Sequence, residues 1–278
     1  MAHPAPTEPS AQRAPAERRT LVPHEHGAYG QLAMPLLTAL AIGRPRAASF
    51  LLTYALVVAF VAHEALLVAL GQRGRRVAQE DGPRARRVLA LLGIQALLAG
   101  AAGFALAPPA ARAALALPAL LAVAVGAFVA ARREKTIAGE VTVGAALSSG
   151  GLAVALAGGA PVSWALACWV TWVLGFAAAT LAVQVILERA RSKGRKDPGL
   201  AHAAATAALV AAAFVAVPAL GLPAAAPLAL LPTAGLSIAV CLARFSPKRL
   251  RELGWAMVAT TVLTMVILVA GLRLSGAA

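Results

Sequence analysis

Charge is scarce in these 278 residues: Asp, Glu, Lys and Arg together make up 13%, about half the share of an ordinary soluble domain. So few charges, gathered in short clusters between long uncharged stretches, cannot cover a water-facing surface. A soluble globular enzyme is therefore excluded. Disorder throughout is excluded as well, because it needs low hydrophobicity and 60% of the chain is apolar. Cysteine is almost missing. Cys168 and Cys241 both lie inside apolar stretches, so they frame no disulfide scaffold. Residues 1–20 lack the apolar run of about seven or more that a signal peptide needs; their Ala and Pro content predicts a disordered tail before a single membrane domain over 21–278.

What the chain does have is long apolar runs. About 20 residues cross a ~30 Å hydrocarbon core, and charged or Pro/Gly-rich breaks divide the sequence into nine such segments: 29–43, 47–70, 88–107, 112–131, 139–157, 162–187, 200–217, 224–243 and 252–273. The expected fold is an all-α, polytopic bundle of nine spans. The first segment is short; were it re-entrant, the number would drop to eight and the tail would change sides. Trp164 is expected at the interface, and Trp169 and Trp172 in the packing.

Basic residues outnumber acidic ones 25 to 11, for a net charge of +14. In a soluble protein that balance would suggest nucleic acid. Here 21 of the 25 fall in the tail and in the loops after the second, fourth, sixth and eighth segments, while Arg44, Arg46, Arg112 and Arg273 fall on the other side. This is the positive-inside asymmetry of a multi-pass cell-membrane protein, with the N-terminus cytoplasmic and the C-terminus outside. The expected partner is the lipid bilayer, and no nucleic acid.

Chemistry is expected on the same basic side. Polar groups within the spans cluster there: His63 and Glu64 in the second, Gln95 in the third at a similar depth, Glu140 at the start of the fifth, Gln184 and Glu188 at the end of the sixth, and His202 with Thr206 in the seventh. A carboxylate inside a span costs about 2.5–3.5 kcal/mol on insertion scales. Glu64 therefore either bonds to Gln95 as interhelical glue or lines a wet cavity. Gln184 and Glu188 are four apart, on one helical face. Before the first span stands Pro23-His24-Glu25-His26-Gly27-Ala28; His24 and His26 alone, without an HExxH or CxxC partner motif, predict either donors placed near an anionic ligand or an anchor of the span at the interface, rather than a metal site. Between the fourth and fifth spans, Arg132 to Glu140 contains Thr136 and Glu140 on one face, which predicts a loop folded back as the first turn of span five.

Three segments carry a family resemblance. These are Pro23 to Ala28, Arg133-Glu134-Lys135-Thr136-Ile137-Ala138-Gly139-Glu140, and residues 246–255. They resemble the YwiC-like bacterial membrane proteins over roughly residues 20–273, a likeness that implies architecture without mechanism. Topologically, the nine spans with large basic loops after the second and sixth are also similar to the UbiA-type intramembrane prenyltransferases. That resemblance implies Mg²⁺ on an isoprenoid pyrophosphate, held by Asp-rich motifs. At those positions this chain has His63, Glu64, Leu67 and Gly71, then Gln184 and Glu188, so most of the acids are missing and the cofactor stays unknown.

The expected function is binding of an isoprenoid or lipid anion in a cytoplasm-facing cavity. Glu64 and Glu188 are the candidate catalytic carboxylates. His24, Glu25, His26, His63, Gln95, Arg133, Lys135, Glu140, Gln184 and Arg191 are the candidate ligand contacts. The alternatives are a small-solute transporter or a non-catalytic partner subunit. The nearly pure Ala, Leu, Val and Gly of the outer half-spans speaks against a through-path.

Overall fold

The computed structural model describes residues 20–23, 26–192, 197–243, 245 and 249–275, excepting the side chains of His26 and Leu250. Apart from Thr20, the expected tail lies outside these residues. The described chain forms helices α1 (His26–Ile42), α2 (Ala47–Ala69), α3 (Arg75–Leu106), α4 (Pro109–Ala114), α5 (Ala116–Ala130), α6 (Ile137–Ala157), α7 (Val162–Ser192), α8 (Gly199–Ala219), α9 (Ala225–Leu242) and α10 (Leu250–Ser275). No strand occurs among the described residues, as expected where a lipid solvent forces every backbone hydrogen bond to be made within the segment. Among the described residues, eight helical stretches are long and apolar enough to cross a membrane, with α4 and α5 together making one of them. The protein is a polytopic helical bundle.

Helices α6 and α7 form its centre, with 67% and 61% of their apolar windows buried, whereas α3 has 6% buried and the α4–α5 stretch none. Trp172 fills the middle: it is 1% exposed, stacks on Phe176 and donates its Nε1–H to Thr38 at 3.2 Å. Trp169 donates to the Ala145 carbonyl at 3.3 Å. Both indoles thus pack with their one donor satisfied.

The short α1 runs beside α6 in the same direction and along its whole length. The reason is a row of glycines on α6 at seven-residue spacing, which falls on one helical face. A Cβ on Gly144 would meet the Gln31 amide at 3.6 Å, and one on Gly151 would meet the Pro35 carbonyl at 3.0 Å. At the far end Gly43 lies against Gly158, and the Arg44 amide donates to the Gly158 carbonyl at 2.8 Å. At 1.5 Å per residue the 17 residues of α1 span about 25 Å. Helix α1 therefore reaches the same end of the bundle as α6, which a re-entrant loop would not.

The exceptions to the charge asymmetry have structural work at that end. Arg273 donates from Nε (3.0 Å) and Nη2 (2.5 Å) to the Ala41 carbonyl at the close of α1. Arg112 donates to the carbonyls of Ala105 and Ala107 at the close of α3, both at 2.8 Å. A helix C-terminus carries unsatisfied carbonyls and partial negative charge, so a cation there is stabilised. These arginines belong to the packing rather than to the topology signal.

Candidate functional site

The basic end of the bundle holds the expected site residues, and it distributes them into separate pairs. On α2, Phe60, Glu64 and Val68 follow one another at four-residue spacing along one face. Phe60 meets Tyr29 edge-on at 5.0 Å, and Val68 packs with Leu21 and Ala85. Glu64 lies between them, 1% exposed. Its carboxylate accepts a two-pronged contact from Arg73, Nε to Oε1 at 3.0 Å and Nη2 to Oε2 at 2.5 Å. The turn after α2 makes this possible. Gly71, at φ 72°, closes the helix with its N–H on the Val68 carbonyl and the Gln72 N–H on the Leu67 carbonyl, a Schellman end that reverses the chain. Arg73 is thereby carried back over the last turns.

Gln95 does not reach Glu64. Its Oε1 accepts from the Tyr54 hydroxyl at 2.7 Å, on an exposed face of α2 and α3. His63, one residue from the buried carboxylate, is exposed.

The loop between α5 and α6 folds back as its spacing predicted. Arg132 takes a positive φ of 54°, and Thr136 caps α6, accepting from the Gly139 N–H at 3.2 Å and donating to the Arg133 carbonyl at 2.7 Å. Gly139 is required by close approach: a Cβ there would lie 2.5 Å from the Arg133 carbonyl oxygen. This first turn aims Glu140 at α7, where Gln184 donates to its Oε2 at 3.1 Å. Arg132, Arg133 and Lys135 are exposed around it. Glu134, in the same turn, has a buried Oε2 with no hydrogen-bond partner among the described residues.

Gln184 and Glu188 share a face of α7 but turn to different neighbours. Glu188 approaches His202 of α8 at 4.0 Å, while the His202 Nδ1 lies 3.0 Å from the Pro198 carbonyl and Arg191 is exposed beyond. Between α7, α8 and α9, below this pair, Leu174, Gly175, Ala178, Thr206, Leu230 and Ala234 among others meet at an apolar seam too narrow to admit a water molecule. Thr206 stands one turn from His202 and donates to its carbonyl at 3.0 Å. His24 and Glu25, with the His26 side chain, lie outside the described residues. Their described flanks are anchored, since the Tyr29 hydroxyl donates to the Pro23 carbonyl at 3.0 Å.

Three residues that matter here carry no signal in the sequence. Arg73 and Arg189 look like two more basic loop residues, yet Arg189 donates to the carbonyls of Cys241 (2.6 Å) and Ala243 (2.7 Å) and pairs with Asp197, tying α7, α8 and α9 together. Gln31 is concealed in an ordinary apolar helix and becomes visible only through Gly144.

A Mg²⁺ ion does not fit this donor set. Both Glu64 oxygens accept from Arg73, and no three His, Cys, Asp or Glu residues gather as a metal site among the described residues. Magnesium wants an oxygen shell that these pairs do not offer.

The pieces common to the first two sequence segments, the α1 start beside α2 and the capped turn into α6, lie within one stretch of chain. Residues 22–155 match the model of the YwiC-like protein family. The YwiC-like stretch runs from before α1 nearly to the end of α6, so it contains the Glu64–Arg73 and Tyr54–Gln95 pairs and the α6 cap. The segment at 246–255 lies beyond it. No curated protein and no solved structure matches the chain.

Proposed function

We propose that the protein binds an amphiphilic anion, an isoprenoid or lipid phosphate or pyrophosphate, at the basic end of the bundle. The observation that carries this reading is the exposed cation Arg191 at the end of α7, beside the Glu188–His202 pair, with the apolar α7, α8 and α9 packed together below it. A phosphate group suits these cations, and an apolar chain suits the apolar helix surfaces beside them. Arg132, Arg133 and Lys135, on the turn that leads to Glu140, extend the same charge across the neighbouring helices. The UbiA-like scaffold stays a topological resemblance within this reading. If a reaction follows binding, Glu188 beside His202 is the carboxylate placed to act as base, whereas Glu64 serves to hold α2 and its turn.

A transporter is less well supported. The outer halves of α1, α6 and α7 close on one another through Gly151 and Pro35, Thr38 and Trp172, and Gly43 and Gly158.

Thermal unfolding of the purified protein tests the proposal. Farnesyl pyrophosphate at a hundred times its Kd should add about 2.7 kcal/mol and raise Tm without added Mg²⁺. Arg191→Ala should weaken binding, and the loss should be larger at low than at high ionic strength. A Tm indifferent to farnesyl pyrophosphate and to phospholipid anions alike would overturn the reading.

A further inference from the structure

Four helices end in the same turn. The closing backbone bonds run from Gly71 to Val68 and Gln72 to Leu67 after α2, from Gly159 to Leu156 and Ala160 to Ala155 after α6, from Gly221 to Pro218 and Leu222 to Val217 after α8, and from Arg132 to Val129 and Arg133 to Phe128 after α5. This Schellman pattern holds its turning residue in the left-handed region. Three of the turning residues are glycines, at φ 72°, 77° and 67°, and the fourth is Arg132 at φ 54°. Among the described residues no other residue with a Cβ takes a positive φ. A Cβ makes that backbone costly, whereas glycine adopts it freely. No internal contact offsets the cost at Arg132. Its side chain is exposed and makes no hydrogen bond or ion pair among the described residues, and Glu134, two residues on, buries its Oε2 without a partner. A strained residue whose side chain serves no internal contact marks a use outside the chain.

The depth of the turn indicates what Arg132 meets. No residue of α5 is buried, so the flank of this helix is open to lipid. At 1.5 Å per residue the 22 residues of the α4–α5 stretch rise about 33 Å, close to the hydrocarbon thickness. Arg132 follows two residues later, at the depth where lipid phosphates lie, with Arg133 and Lys135 exposed beside it. We propose that Arg132 is the phosphate ligand of an anionic phospholipid whose acyl chains lie along α5. A planar guanidinium binds phosphate through two parallel N–H donors, and the left-handed turn fixes where that guanidinium starts. Arg132, Arg133 and Lys135 outnumber Glu134, so the turn favours a headgroup of net negative charge over a zwitterionic one. This contact is separate from the anion site proposed at Arg191.

Lipid titrations of the purified full-length protein, read by native mass spectrometry, test the contact, with phosphatidylglycerol as the probe and phosphatidylcholine as the control. Arg132→Gly relieves the strained backbone. It should therefore raise the Tm of the lipid-free protein by about 2 °C, while weakening phosphatidylglycerol binding about tenfold, the worth of one charge-assisted bond. Phosphatidylcholine should bind the unaltered protein more weakly and ignore the substitution. Arg86→Ala removes an exposed cation of the same basic end from ordinary helical backbone, and should leave phosphatidylglycerol binding unchanged. Farnesyl pyrophosphate should lose affinity in Arg191→Ala but not in Arg132→Gly, so the two proposals fail separately. Three results would overturn the phospholipid contact. Equal losses from Arg86→Ala and Arg132→Gly would mean a general attraction to the basic end, and a lower lipid-free Tm in Arg132→Gly would mean that the side chain serves the fold. Loss of farnesyl pyrophosphate in place of phosphatidylglycerol would assign the turn to the ligand at Arg191.

Discussion

Replacing Arg73 by Ala is expected to destabilise the protein by about 3 kcal/mol, the low end of the range for removing one member of a buried ion pair. The asymmetry of the pair sets the size. Glu64 is 1% exposed and Arg73 38%, so the substitution leaves a carboxylate held away from water while the departing guanidinium was already half-solvated. Both prongs of the fork are lost together, and charge-assisted hydrogen bonds are the stronger kind. Unfolding of the purified protein by titrated denaturing detergent would measure the loss. The companion variant carrying both Glu64→Leu and Arg73→Leu should recover most of it, because removing both charges also removes the need to pair them. A neutral Arg73→Ala would mean that Glu64 does not depend on this partner.

Gly139→Ala should cost as much, although it adds only one methyl group. That carbon would lie 2.5 Å from the Arg133 carbonyl oxygen and 2.7 Å from that of Glu134. Both are backbone atoms with no rotamer to escape into, so the turn itself must open. Overpacking of this kind costs about 1–3 kcal/mol, and opening the turn also forfeits the Thr136 cap, worth about 1 kcal/mol. The same substitution at Gly126 is the control. A Cβ there meets nothing within 4 Å, and replacing a helical glycine by alanine favours the helix by about 1 kcal/mol. Equal effects at the two positions in the same unfolding assay would refute the close approach.

The bundle was largely legible in the sequence, and its pairings were not. Each of the nine apolar segments coincides with a helix or, for 112–131, with the α4–α5 stretch, because in lipid a long apolar run has no other way to satisfy its backbone. Boundaries went astray where helix and bilayer part company. Helix α3 begins at Arg75, some way before the apolar run at Val88, since an amphipathic basic segment continues the same helix beyond the hydrocarbon. The Thr136–Glu140 spacing foretold the capped turn because capping is local. Glu64 was marked as exceptional for its cost in lipid, but its partner is set by the Schellman turn at Gly71, and nothing in the spacing separates Arg73 from its basic neighbours. Gln184 and Glu188 share a helical face, yet two different helices flank that face, and each takes one of them. Depth and direction can be read from one helix, whereas a partner depends on which helix packs beside it.

The proposed working face requires that the basic loops lie together on one side of the membrane, with α1 a full crossing and the end of α10 on the other side. Reporter fusions that fold only inside or only outside the cell test this directly. Fusions within 71–74 and 131–136 and at the N-terminal end should report the cytoplasm, and those at 158–161 and after Ser275 the exterior. A C-terminal reporter on the same side as the 131–136 reporter would contradict nine crossings and, with them, the single basic face on which the anion is proposed to bind.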